Sequence, residues 1–191
     1  VLRHATSTDY TAFNIPLNHP AVIKGKAGSP YAIVDYYDVD PDMAVDVNKR
    51  MAEFEKLVER THKAGLKVVI DFVPNHVARE YHSISCPNGI EDLGASDNKD
   101  WHFSTSNNFY YCWGHPFAPQ FDIEHDSDGN PLPPYAEQPA KATGNDVFSA
   151  SPSKNDWYET VKLNYGIDYC DAGGRSEHFY DSEGKPIVDT W

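Results

Sequence analysis

The sequence predicts an α/β protein with a regular first part and an irregular second part. Between residues 45 and 73, an amphipathic helix, a glycine and an apolar strand follow one another, which is half of a repeating α/β unit. Beyond residue 80 the chain becomes polar and rich in glycine and proline, as is typical of loops. The 191 residues are 40% hydrophobic and 13% aromatic, so they can bury a core and are too apolar for a disordered chain.

The helix has the clearest pattern. Its apolar positions recur at spacings of four, three and four residues and therefore share one helical face: Val47, Met51, Phe54 and Val58. Asp42 or Asp46 can cap its start, because a carboxylate accepts hydrogen bonds from the free amides of the first turn. Gly65 stands where a glycine commonly ends a helix.

Residues 66–73 form a nearly continuous apolar run, which predicts a strand buried on both faces, as in parallel sheets. Asp71 within this run would be costly to bury alone, so we expect a buried carboxylate held by a partner such as an arginine. Asp71, Asn75 and His76 stand at the carboxyl end of the strand. In parallel α/β folds that end faces the ligand site.

The charge is unevenly distributed. The formal charge of −13 comes mostly from residues 81–191, with 18 acids and 6 bases, against 11 acids and 10 bases in residues 1–80. Because phosphate contacts require Lys and Arg, we expect no nucleic-acid partner. No run of about 18 apolar residues occurs, so we expect no membrane partner. The three cysteines (Cys86, Cys112 and Cys170) allow at most one internal disulfide and match no zinc spacing.

The second part contains turn and aromatic signals. Residues 126–130 and 181–185 predict tight turns. Seven aromatic residues lie between positions 101 and 117. They predict either rings that stack on sugars or the core of a small inserted domain, and the sequence leaves both open.

Three segments resemble the α-amylase family of glycoside hydrolases. Residues 65–76, with the sequence GLKVVIDFVPNH, look like the family's first conserved region, and residues 28–41, GSPYAIVDYYDVDP, are similar to its loop after the second barrel strand. The helix between them matches as well, so the resemblance covers roughly residues 28–80. Residues 161–164, VKLN, resemble a short segment near the end of the family's domain B.

The resemblance implies a partial (β/α)8 TIM barrel with a long irregular domain B insertion after strand three. Residues 1–78 would be the partial catalytic barrel segment. Residues 79–191 would be a domain B-like insertion that returns toward the barrel.

The resemblance also implies roles for single residues. His76 would hydrogen-bond the sugar in the subsite where the glycosidic bond breaks, and Tyr31 would stack on that sugar. Asp71 would hold the arginine beside the nucleophile, and Asn75 would help to anchor domain B, often through calcium. Without the resemblance, a hydrogen bond to a loop carbonyl is the preferred explanation of His76. For Tyr31 the alternative to sugar stacking is core packing.

The segment Lys162, Leu163 and Asn164 departs from the calcium-binding pattern. Members of the family that bind the common calcium usually have Asp where this chain has Lys162, and a lysine supplies a positive charge at the place of the ion. The resemblance therefore leaves calcium as an option and argues against its usual site. The neopullulanase-like branch also has Lys-Leu-Asn, so activity on α-glucans is compatible with this change.

The implied activity is that of a retaining glycoside hydrolase acting on α-glucans such as starch and maltodextrin, which needs two carboxylates about 5–5.5 Å apart. Neither motif is present convincingly, because residues 173–177 imitate the nucleophile motif with Glu in place of Asp and with a polar lead-in. We therefore expect a fragment that binds α-glucan oligosaccharide, has no catalytic pair and pairs with the remainder of a parent catalytic domain. The alternatives are a non-catalytic oligosaccharide-binding module and an α-glucosyl transferase or isomerase of the same superfamily.

Overall fold

The computed structural model describes residues 2–169. Its strands in chain order are β1 (Leu2–His4), β2 (Ile33–Val39), β3 (His76–Ala78), β4 (Tyr111–Cys112), β5 (Ala140–Lys141) and β6 (Thr160–Lys162). The helix α1 (Arg50–Lys63) lies between β2 and β3, and short 3-10 helices occur at Thr11–Phe13, Pro20–Val22, Pro41–Met43 and Val47–Lys49. Cys170, the predicted turn at 181–185 and residues 173–177 lie outside the described residues. Within residues 2–169, no helix is both long enough and apolar enough to cross a bilayer.

The strands form three antiparallel pairs: β1 with β2, β3 with β6, and β4 with β5. Parallel pairing, which consecutive barrel strands require, does not occur among residues 2–169. The turn predicted at 126–130 is confirmed, because the amide of Gly129 donates to the carbonyl of Asp126 at 3.1 Å and the amide of Asp126 donates to that of Asn130 at 2.9 Å.

Both predicted ends of the helical region are confirmed. The Asp46 side chain accepts a hydrogen bond from the Asn48 amide and starts a 3-10 turn that leads into α1. At the other end, the Gly65 amide donates to the His62 carbonyl at 2.9 Å and the Leu66 amide donates to the Thr61 carbonyl at 3.1 Å. This pair of bonds is a Schellman motif, and it needs the left-handed backbone of Gly65, whose φ is +77°.

The prediction of a buried strand over residues 66–73 was wrong. The segment is not part of any ladder in the structure, and Val69 is 93% exposed. Ile70 and Phe72 are also exposed. The apolar side chains of this run would suit a strand that is buried on both faces. Such burial requires neighbouring strands, and none of the strands within residues 2–169 lies alongside the segment.

The core consists of three clusters of buried apolar side chains. The first comprises Ala5, Ile23, Ala32, Val34 and Ala78; the second comprises Val77, Phe109, Tyr111, Val161 and Leu163; the third comprises Val22, Phe117, Ala140 and Tyr158. Strand β3 contributes to the first two, so it joins the early part of the chain to the region around residues 109–163. The third cluster lies beside Arg79, whose guanidinium is 4.4 Å from the Phe117 ring centroid.

Arg79 is a buried cation with a full set of partners. Its Nη1 donates to Glu137 Oε1 at 2.7 Å, and its Nε donates to the Tyr158 carbonyl at 2.6 Å. Nη2 donates to the Thr160 carbonyl at 3.3 Å. A buried charge is tolerated when a counter-ion and hydrogen bonds replace water, as they do here.

Candidate functional site

An open hollow of about 520 Å³ lies next to the β3–β6 pair. It brings together three of the residues that the sequence singled out, Tyr31, Asp71 and His76. The other lining residues are Lys24, Ser29, Phe72, Val73, Pro74, Trp157, Glu159 and Thr160. Residues far apart in the chain therefore converge on one concave surface.

The alternation of the β3–β6 pair aims His76 at this hollow. Val77 and Val161 face each other across the pair and are fully buried in the core. Their neighbours point to the opposite face, so His76, which lies opposite Lys162, turns toward the hollow. The His76 ring meets Trp157 edge-on, with ring centroids 5.3 Å apart and planes at 63°.

His76 is only 6% exposed, and its surroundings favour the neutral ring. Burial is the main cause that lowers the pKa of His76 below its usual 6.5, and the positive charge of Lys162 lowers it further. A hydrogen bond with the Tyr31 main chain acts in the opposite direction on the pKa and is outweighed.

Asn75 fixes which ring nitrogen of His76 carries the proton. Its Oδ1 accepts from Lys162 Nζ at 3.3 Å and its Nδ2 donates to the Gly144 carbonyl at 2.7 Å, so the amide has one orientation. Nδ2 also lies 3.0 Å from His76 Nδ1. Since an amide nitrogen only donates, Nδ1 accepts, and the neutral ring carries its proton on Nε2.

Lys162 connects this group to the loop before β6. Its Nζ lies 2.5 Å from Asp146 Oδ1 in addition to its contact with Asn75. Leu163 is buried in the core, and its amide donates to the Asn75 carbonyl at 3.1 Å. Asn164 is fully buried, and its Nδ2 donates to the Ser104 carbonyl at 2.8 Å. The three residues of this segment thus tie the end of the described chain to the site.

Tyr31 and Asp71 have different surroundings from His76. Tyr31 is 53% exposed at the edge of the hollow, so core packing does not explain it. The expectation that Asp71 is buried was wrong. Asp71 is exposed, and its carboxylate makes no hydrogen bond or ion pair with residues 2–169. It lies on the unpaired segment 66–73, so solvent hydrates the charge and no partner is required.

Sequence reasoning missed Lys24 and Glu159. No local pattern marks Lys24 or Glu159, because each is a single charged residue whose place on the hollow depends on how distant loops fold. A buried acidic residue indicates a functional site only after the structure shows that it is buried. Glu159 is 5% exposed.

The aromatic segment at 101–117 contains both buried and exposed rings. Phe109, Tyr110, Tyr111 and Phe117 are buried, which supports the core interpretation. Trp101 and Trp113 are instead about two-thirds exposed, at 63% and 64%, around a second open hollow.

Metal ligands do not cluster in the described part of the chain. Among residues 2–169, no group of three or more His, Cys, Asp or Glu side chains is arranged to hold an ion. At the place implied for calcium, the Lys162 ammonium stands between the side-chain oxygens of Asn75 and Asp146. A cation prefers such oxygens as ligands, but the ammonium already uses them.

Several known proteins are similar to this chain. It is 28% identical to the amino acid transporter heavy chain SLC3A1 of Mus musculus in an alignment of 111 residues that covers 46% of this chain and 15% of that protein. It is 26% identical over 106 residues to the alpha-amylase MalA of Haloarcula japonica, and the alignment covers 56% of this chain and 15% of that protein. It is 43% identical over 51 residues to the trehalose-6-phosphate hydrolase of Bacillus subtilis, and the alignment covers 27% of this chain and 8% of that protein.

These relatives are much longer than the region they share with this chain, which spans 15% of the length of the first two. No solved structure gives a significant match. The family model described as the catalytic domain of alpha amylase matches residues 19–128, more than half of the chain. The matched region contains Tyr31, Asp71, Asn75 and His76. The chain therefore belongs to the α-amylase catalytic-domain family, whose catalytic domain is a (β/α)8 barrel.

Proposed function

We propose that this chain forms part of the substrate-binding side of a retaining glycoside hydrolase that acts on α-glucans. The observation that carries the proposal is the single hollow on which Tyr31, Asp71 and His76 converge. Family membership supplies the class of substrate, because α-glucan-acting enzymes are among the similar proteins. Residues 1–78 would then belong to the barrel and residues 79–191 to a domain B inserted after its third strand.

The exposed ring of Tyr31 suits stacking on the apolar face of a glucose unit, since flat aromatic rings bury large areas. His76 suits donation to a sugar hydroxyl through Nε2, because its ring is neutral and Asn75 occupies Nδ1. A sugar hydroxyl would compete there with the Tyr31 main chain. The exposed carboxylate of Asp71 remains available to an arginine supplied by another part of a complete catalytic domain.

Asn75 and Lys162 would anchor domain B without calcium. The ammonium of Lys162 bridges Asn75 and Asp146 and would take the place of the ion. Lys162→Asp would replace the ammonium by a carboxylate that can bind calcium. Calcium should therefore raise the melting temperature of that variant and leave the melting temperatures of the wild type and Lys162→Met unchanged. A rise in the wild type that EDTA reverses would contradict this part of the proposal.

Hydrolysis needs a nucleophile and an acid/base carboxylate on either side of the scissile bond. The resemblance assigns neither task to Asp71 or His76, which would bind and orient the sugar only. We therefore propose that the 191-residue chain alone binds oligosaccharide and releases no reducing ends from starch. Release of reducing ends by the pure chain would overturn this.

Binding of maltotriose to the chain, followed by NMR titration, tests the proposal. His76→Ala and Tyr31→Ala should each weaken binding by about 3- to 10-fold, the loss of one hydrogen bond or ring contact. His62→Ala and Tyr37→Ala are matched controls, because both residues are exposed and neither lines the hollow. Equal affinity of all four variants, or no binding by the wild type, would refute a sugar site in this hollow.

A non-catalytic role is the second candidate. The similarity to an amino acid transporter heavy chain favours it, because that name denotes a transporter subunit and not a glycosidase. In that case the hollow would hold oligosaccharide or nothing, and no bond would be cleaved. Incubating the complete gene product with maltodextrin and analysing the products separates the two candidates.

A further inference from the structure

Glu159 is a buried carboxylate on the wall of the hollow. Its Oε2 is enclosed but accepts no hydrogen bond from any residue between 2 and 169. The nearest cation, Lys24 Nζ, is 3.4 Å away, which is longer than a normal charge-assisted hydrogen bond. Buried polar atoms in native proteins are nearly always hydrogen-bonded. We therefore expect this oxygen to receive a hydrogen bond from a group outside the described residues.

Lys24 is fixed beside this oxygen. Its Nζ donates to the Asp156 carbonyl at 2.7 Å and lies 5.2 Å from the centroid of the Tyr158 ring. An ammonium has three N–H donors, and the Asp156 carbonyl takes one of them. Two donors therefore remain on Nζ, which lies 3.4 Å from Glu159 Oε2 and belongs to a residue that lines the hollow. One wall of the hollow therefore presents an acceptor and a donor next to each other.

The charges around the hollow define the kind of ligand that fits. Asp71 and Glu159 are negative, Lys24 is positive, and His76 is neutral, so an anionic ligand would meet a net negative surface. A neutral molecule with adjacent hydroxyl groups matches the wall, because one hydroxyl can donate to the carboxylate while the next accepts from the ammonium. The Trp157 ring offers an apolar surface nearby.

We propose that Glu159 and Lys24 together recognise two neighbouring hydroxyls of an uncharged sugar. In the bound state the Glu159 side chain turns Oε2, which is enclosed in the free chain, toward the hollow. Oε2 then accepts from one hydroxyl, and Lys24 Nζ donates to the next. The two carboxylates of the hollow, Asp71 and Glu159, outweigh the single ammonium and select against sugars that carry a phosphate. The inference rests on the proposed function, since it concerns the same hollow, and it adds specificity-determining residues that bind the sugar and take no part in bond cleavage.

NMR titrations of the whole chain with maltotriose, with monodeoxy methyl α-maltosides and with maltose 6′-phosphate test the pair. Glu159→Gln and Lys24→Gln should each weaken maltotriose binding by about 10-fold or more, the loss of a hydrogen bond to a charged group. Glu124→Gln and Lys26→Gln are matched controls, because both residues are exposed and lie off the hollow. Circular dichroism establishes that each variant is folded, and Lys24, being partly exposed, provides a second test if Glu159→Gln fails to fold.

The deoxy sugars separate recognition from a structural role. One monodeoxy analogue should bind the wild type about 10-fold more weakly than the parent maltoside does, because it lacks the hydroxyl that donates a hydrogen bond to Glu159. The Glu159→Gln variant should bind this analogue and the parent maltoside equally well. The phosphorylated sugar should bind Glu159→Gln better than the wild type. If Glu159→Gln weakens all analogues by the same factor, or leaves maltotriose binding unchanged while His76→Ala reduces it, the inference fails and the proposed function stands. If the wild type binds no maltotriose, both fail.

Discussion

Replacing Gly144 by alanine tests how tightly the loop before β6 holds His76. Gly144 approaches the site so closely that an added Cβ would meet Thr160 Oγ1 and would lie 2.9 Å from both Cβ and Cγ of His76. Carbon atoms pack best about 3.5–4.0 Å apart, so the neighbours would have to move. Overpacking of this kind costs about 1–3 kcal/mol.

A gain in the unfolded state offsets part of this cost. The backbone of Gly144 is not left-handed, so alanine restricts the unfolded chain and adds about 0.4–1 kcal/mol of stability. The net loss for Gly144→Ala then lies between about 0 and 2.6 kcal/mol, and its centre, about 1.3 kcal/mol, lowers the melting temperature by about 3–5 °C for a chain of this size. Urea unfolding followed by circular dichroism measures the loss.

A double-mutant cycle with Thr160→Ala provides the control. Because that variant removes the Oγ1 atom that the new methyl meets, Gly144→Ala should cost less in the Thr160→Ala background than in the wild type. The NMR chemical shifts of the His76 ring should differ between Gly144→Ala and the wild type. A variant as stable as the wild type, with His76 unperturbed, would refute the close packing inferred here.

Three further predictions concern titration and buried charge. Because burial lowers the pKa of His76, its contribution to stability is complete above pH 6.5 and is lost as the pH falls from 6.5 toward the folded-state pKa. The hydrogen bond to Asp40 raises the pKa of His4, so its contribution is complete below pH 6.5 and is lost as the pH rises through the folded-state pKa. NMR titration should place the midpoint of His76 below 6.5 and that of His4 above it, and the reverse order would contradict both assignments. Glu137→Gln should cost about 3–5 kcal/mol in urea unfolding, because it leaves the buried Arg79 without its counter-ion; a loss below about 1 kcal/mol would show that the pair is not required.

The helical region could be predicted because its determinants are local. The cap at Asp46, the apolar period and the glycine at position 65 act within a few residues of one another, and all three can be counted along the chain. The helical face is nevertheless poorly covered, since no residue of α1 is buried. Spacing predicts which residues share a face but not what packs against it.

The site could be predicted only in part. Tyr31, Asp71 and His76 were selected by resemblance, and they do share a hollow, yet the buried state expected for Asp71 failed together with the strand at 66–73. Burial is a property of the surroundings, so a single apolar run does not determine it. Glu159 had no local signal, because its enclosure results from loops that meet only in the folded chain.

The exposed segment at 66–73 offers a built-in reporter of assembly. The Leu66 amide donates to the Thr61 carbonyl, but the amides of residues 67–73 make no hydrogen bond within residues 2–169. These amides should exchange with deuterium within the dead time of a manual experiment, while those of Val77 and Val161 are slow. A partner strand paired with one edge of this segment would protect every second amide, namely those that point toward the partner. The pattern of protected positions would therefore reveal both the docking of another polypeptide and the edge on which it binds.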